Sequence, residues 1–146
     1  TSSILVLALM SLLVSCKVPE SMAWVESTLT GSGTKGFADG TGTTAQFKKP
    51  YSVAVNSSGN IYVTDSGNHL IRKITPADRI GDRVVSTLAG SGTEGSGNGT
   101  GTAAQFKNPF GVAVDSSGNA FVADQFNHRI RRITPKGVVS IFAGST

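Results

Sequence analysis

The chain has 146 residues, a formal charge of +4 and only 15% charged side chains, against about 25% in an average globular protein. Eighteen glycines and few aromatics exclude a helical bundle, which favours Ala, Leu, Glu and Lys, and point to short strands joined by many turns. The single cysteine, Cys16, excludes an internal disulfide, and no Cys/His cluster has zinc spacing.

The first segment, residues 1–15, carries no charged side chain. Its apolar run from Ile4 to Val14 is too short to span a bilayer, which takes about 20 residues, but fits the apolar region of an export signal. The run ends in Leu13-Val14-Ser15-Cys16, which resembles the lipobox of bacterial lipoproteins. That resemblance implies a lipidated Cys16 and a protein anchored in the cell envelope, at the bacterial outer membrane or surface. Secretion without lipid, or a buried segment of the fold, are the other readings. The chain opens Thr-Ser-Ser, with neither Met nor a basic residue ahead of the apolar run, so the expectation is a fragment lacking its true start. Residues 16–23 read as a short linker.

From residue 24 to 146 the sequence repeats. With Val25 laid on Val84, "STLTGSGT" returns as "STLAGSGT", "GTGTTAQFKKP" as "GTGTAAQFKNP" and "VAVNSSGN" as "VAVDSSGN". The copies run over about 25–83 and 84–137, and a third opens at 138–146 with "VVSIFAGST". Self-similarity of this kind marks a repeat architecture. In the first copy the strands are Ser52–Val55, Ile61–Thr64, His69–Thr75 and Val84–Ala89. In the second they are Gly111–Val114, Ala120–Ala123, His128–Thr134 and Val138–Ala143. Gly-, Asn- and Ser-rich turns separate them. Four short antiparallel strands per unit make a blade, so the expected fold is all-β: about two blades of a β-propeller and part of a third. Closure takes about 4–8 blades, a second reason to expect a fragment, with a ring of several short chains as the alternative. Ile71 and Ile74 would face opposite ways in a plain strand, which calls for burial on both faces or a bulge. In the Gly-rich inserts Thr43 and Thr102 are expected to cap short helices over "TAQF" and "AAQF", with Phe47 and Phe106 plugging the blade interface.

"VTDSGNHLIRKIT" and "VADQFNHRIRRIT" resemble NHL repeats, named for the Asn-His-Leu that stands here as Asn68-His69-Leu70. The second copy departs with Asn127-His128-Arg129. The resemblance covers about residues 24–146, implies a propeller, and gives Asp65, Asn68, His69, Asp124, Asn127 and His128 a per-blade structural role: holding the turn and clamping adjacent strands. The rival reading places metal or catalytic histidines on the propeller axis. Differences between copies single out Lys35, Phe37, Asp39, Glu94 and Asn98 as a candidate variable loop.

"FADGTGT" offers one acid and "SGNGTGT" none, where a calcium loop needs several. The glycines precede no Lys-Ser/Thr pair, so a phosphate loop is unsupported. Neither a nucleophile elbow nor paired carboxylates stand out. No catalytic, metal or cofactor-binding residue is assigned, and no cofactor is expected. Arg129, Arg131 and Arg132 could meet phosphates but read more simply as a solvated strand edge. The expected function is a binding scaffold for a protein, peptide or glycan, with the membrane reached through Cys16. A lyase- or lactonase-like propeller enzyme completed by further blades is the alternative. RNA binding is weaker, because an exported protein meets little RNA.

Overall fold

The computed structural model describes residues 27–145. The expected signal, the linker and Cys16 lie outside them. Ten strands follow in chain order: Gly40–Thr41 (β1), Pro50–Val55 (β2), Ile61–Asp65 (β3), Leu70–Ile74 (β4), Val84–Ala89 (β5), Gly99–Thr100 (β6), Pro109–Val114 (β7), Ala120–Asp124 (β8), Arg129–Ile133 (β9) and Val138–Ala143 (β10). They form two antiparallel sheets, ordered β1-β5-β4-β3-β2 and β6-β10-β9-β8-β7. Each sheet closes with a strand that opens the next sequence repeat, so blade and repeat are out of phase. Among the described residues helical structure is limited to single 3-10 turns.

Each blade has four long strands and one extra. The two-residue β1 comes from the Gly-rich insert and pairs outside β5, with Gly40 opposite Val85 and Thr41 opposite Val84. It shortens an otherwise open edge, which limits edge-to-edge aggregation. The inserts correct one expectation. Their helical turns cover Gly42–Thr44 and Gly101–Ala103, and the N-cap residues are Thr41 and Thr100 rather than Thr43 and Thr102. The Thr44 hydroxyl both accepts from the Thr41 N–H and donates to the Thr41 carbonyl, each at 2.9 Å. The turn starts earlier because Gly42 and Gly101 take φ of 56°, a left-handed conformation that glycine adopts without steric cost.

The central strands carry the core. β3 is buried along its whole length, so both its faces are covered. Ile71 and Ile74 bury on opposite sides. Ile71 joins Tyr62, Ala89, Ala104, Phe106, Ala120, Val122, Ile133 and Val139 in a cluster drawn from both sheets. Ile74 joins Ala45, Ile61, Val63 and Val85 within the first sheet. A register shift in the β4–β5 pairing between Ile71 and Arg72 accompanies this division. Phe106 is fully buried where the two sheets meet.

Hydrogen bonds also tie the sheets together. The Thr64 hydroxyl donates to the Phe110 carbonyl at 2.9 Å, and the Ser66 hydroxyl donates to the Pro109 carbonyl. The Asn108 N–H donates to His69 Nδ1 at 3.1 Å, and the Val112 N–H to the Ser52 hydroxyl at 3.4 Å. The donors and acceptors on the first sheet come from β2, β3 and the β3–β4 turn. All converge on the start of β7.

Candidate functional site

A buried carboxylate organises each blade. Asp65 is fully buried. Its Oδ1 accepts from the Lys48 N–H at 2.8 Å, and its Oδ2 accepts from Asn68 Nδ2 and from Arg72, each at 2.9 Å. Asn68 also donates to the Gly36 carbonyl at 2.9 Å. Arg72, itself fully buried, donates to the carbonyls of Gln46 and Ala38 at 3.0 and 2.8 Å. The second blade repeats the set. Asp124 accepts from the Lys107 N–H, Asn127 and Arg131 at 2.8, 2.8 and 2.9 Å. Asn127 donates to the Gly95 carbonyl at 2.7 Å, and Arg131 to the carbonyls of Gln105 and Gly97. The insert, the β3–β4 turn and β4 are thereby pinned to one another.

This arrangement spends the carboxylate. Each accepts three hydrogen bonds, one of them charge-assisted from a guanidinium, and both members of each pair are fully buried. Among the described residues no group of three His, Cys, Asp or Glu could hold a metal. The two arginines are the residues that sequence reasoning missed. Arg131 does not lie on a solvated edge: its exposure is 0%, because its β9 position faces Asp124 and the insert. The one signal in the sequence was that an Arg recurs three positions after each His, among other basic residues of the same strands.

Several copy-specific residues serve the same clamp. Asp39 Oδ1 accepts from Arg72 at 2.6 Å, and Asn98 Oδ1 takes its place under Arg131 at 2.8 Å. The Arg72 guanidinium sits 5.2 and 5.1 Å from the ring centroids of Phe37 and Phe47. Arg131 has the Phe106 ring at 5.3 Å; Ser96 stands where Phe37 would be. Glu94 reaches Lys107 at 3.6 Å on the surface. Lys35 holds a short bridge with Phe47 at the rim of an open depression.

His69 and His128 lie outside the strands, each ending a 3-10 turn at φ of 56° and 55°. They sit in different surroundings. His69 accepts the Asn108 N–H across the blade interface. His128 lines an open cavity of about 270 Å³ with Gln125, Arg129 and Ile130 on the far face of the second sheet. The two histidines therefore do not converge on a common centre.

The end of the molecule where β2 and β7 begin carries a different kind of surface. Tyr51 and Phe110 occupy the same repeat position, are 62% and 38% exposed, and stack with centroids 3.7 Å apart at 36°. Phe126, also exposed, is tied by its N–H to the Lys107 carbonyl at 3.3 Å, just ahead of β7.

Two antiparallel five-stranded sheets packed side by side, with strands β2 and β7 in contact, give the chain a β-propeller architecture. Comparison with known proteins agrees. The NHL repeat family model matches residues 47–74. The chain is 42% identical over 95 residues to Protein SUPPRESSOR OF QUENCHING 1, chloroplastic, of Arabidopsis thaliana, covering 65% of this chain and 9% of that one. It is 33% identical over 92 residues to the probable peptidyl-alpha-hydroxyglycine alpha-amidating lyase pgal-1 of Caenorhabditis elegans, 62% of this chain and 24% of the relative. A crystal structure described as an auxiliary nutrient binding protein from Bacteroides thetaiotaomicron superposes with a TM-score of 0.61 at 28% identity, over 79% of this chain and 28% of that one. Residues 47–74 thus carry an NHL repeat within a propeller-like sheet arrangement, and the chain spans a small fraction of the length of the relatives it matches.

Proposed function

We propose that this chain belongs to a non-catalytic binding scaffold of the cell envelope, exported by its apolar first segment and either lipid-anchored through Cys16 or secreted. The observation that carries the binding role is the stacked, solvent-facing pair Tyr51–Phe110. The polar groups repeated in each blade are engaged in holding the blade, whereas this pair is held in place and left open. Monomers expose few contiguous apolar patches without a use for them. The nutrient-binding description of the Bacteroides neighbour supports the same class of role. Export and anchoring are tested by expression in a bacterial host behind an initiator Met and a short basic segment. Labelled palmitate is expected on the chain in the membrane fraction, and Cys16→Ser is expected to lose both label and membrane association. An unlabelled but exported chain would leave the secreted form.

A second reading has specific support in two amidating-lyase relatives. It requires turnover of a peptidyl-α-hydroxyglycine by the purified protein; absence of turnover with saturating divalent metal would remove it.

A further inference from the structure

The exposure of Tyr51 and Phe110 is built into the strands. In β2, Pro50 pairs with Asp65 and Val53 with Val63, so Tyr51 and Ser52 together face only Thr64. β7 repeats this: Pro109 pairs with Asp124, Val112 with Val122, and Phe110 and Gly111 face Ala123. Two residues against one is a β-bulge, a device that re-aims a side chain. Thr64 holds the first bulge, accepting the Ser52 N–H at 2.9 Å, and links it to the second through the Phe110 carbonyl. A proline precedes each aromatic, and its fixed φ limits the freedom of the strand start. The result is two rings at 36° on rigid neighbouring strands, a shallow apolar wedge facing solvent.

Hydrogen-bonding residues precede each ring in the chain. Lys48 and Lys49 are exposed just ahead of Tyr51, and Asn108 is half-buried two residues ahead of Phe110. The Tyr51 hydroxyl adds a donor and acceptor. An apolar ring surface bordered by donors matches a pyranose ring, which has C–H faces and hydroxyls around its edge. Single-stranded nucleic acid also stacks on aromatics, but it needs a basic groove that tracks the phosphates. Here Lys107 is engaged by Glu94, and of the two aromatics only Tyr51 is preceded in the chain by a pair of exposed lysines.

Resting on the scaffold reading, we propose that Tyr51 and Phe110 form a stacking platform for sugar rings of a polysaccharide, with Lys49 and Asn108 reading ring substituents. The test is calorimetric titration of the full chain with cellohexaose, chitohexaose and oligogalacturonate, alongside oligouridylate and a pool of unstructured peptides. At least one oligosaccharide is expected to bind. Tyr51→Ala and Phe110→Ala are each expected to weaken it about tenfold or more, as loss of one stacking contact of about 1.4 kcal/mol would. Tyr51→Trp should retain binding. Phe142→Ala, an exposed aromatic on the outer strand β10, should leave it unchanged. Because Tyr51 and Phe110 are exposed, circular dichroism of each variant should match the parent. No oligosaccharide binding, or binding indifferent to Tyr51→Ala, overturns the proposal. Binding of oligouridylate or peptide instead, lost with Tyr51→Ala, overturns the sugar assignment and leaves the scaffold standing. Binding of none of these classes counts against both.

Discussion

Asp124 and Arg131 are each wholly enclosed, 2.9 Å apart, and linked to three backbone carbonyls or N–H groups of the insert. Breaking such a pair from one side leaves an uncompensated buried charge, which costs about 3–5 kcal/mol. Asp124→Ala is therefore expected to lower the denaturant midpoint steeply or prevent folding. Asp39→Asn is expected to cost below about 1 kcal/mol. Its side chain is 48% exposed, where ion pairs contribute little, and Asn98 already does the same job in the other blade. The turns offer a second natural pair. Asp115 accepts from the N–H groups of Ser117 and Asn119 at 3.0 and 2.8 Å, as Asn56 accepts from Ser58 and Asn60. The Asn119 side chain foremost, then the backbone N–H groups and the charge of Arg132, hold the Asp115 carboxyl below its ordinary value of 3.8. A depressed folded value means that its contribution is present above the ordinary value and fades as pH falls through the folded one. Thermal melts of the parent and of Asp115→Asn are thus expected to converge in acid and to differ in their pH slope below about pH 4. The motif residues Asp65, Asn68 and His69 were legible in the sequence as repeats. The arginines Arg72 and Arg131 repeat too, but their burial was not legible, since a basic residue in a strand most often points to water.

At the level of strands, the apolar runs located all eight long strands, but the ends moved. β2 and β7 start earlier, at Pro50 and Pro109, because a bulge lets proline begin a strand without a ladder N–H. His69 and His128 fall outside β4 and β9 because a left-handed residue cannot continue a strand. Thr64 carries the link between bulge and neighbour, and its hydroxyl is fully buried. Thr64→Val is expected to cost about 1–3 kcal/mol by leaving the Ser52 N–H and the Phe110 carbonyl without a partner. Urea titration measures this, and Ala123→Thr, at the same place in β8, should not produce a loss of that size.

Across the molecule, the two sheets share one core cluster. Phe106→Ala is expected to cost about 3–5 kcal/mol and to act on both sheets together. The near-ultraviolet signal of Tyr62, which lies in the first sheet, should fall at the same denaturant concentration as the far-ultraviolet signal. Two separate transitions would mean that the blades fold independently. The groups that form this junction are also not repeated on the second blade. Thr64, Ser66 and Ser52, which reach across to the second blade, are matched on the second blade by Ala123, Gln125 and Gly111. Only the histidine is kept. The outgoing face of the second blade therefore offers different chemistry to whatever adjoins it.

Repetition and strand period were enough, from the sequence alone, to specify an all-β blade architecture, because turn residues and apolar runs act locally and recur in each copy. Which groups meet was decided by the tertiary structure. A guanidinium in β4 reaches an insert more than thirty residues away in the chain. Two aromatics a full repeat apart stack because inner strands of neighbouring blades lie side by side. Such pairings depend on how the sheets pack, and no local pattern records them.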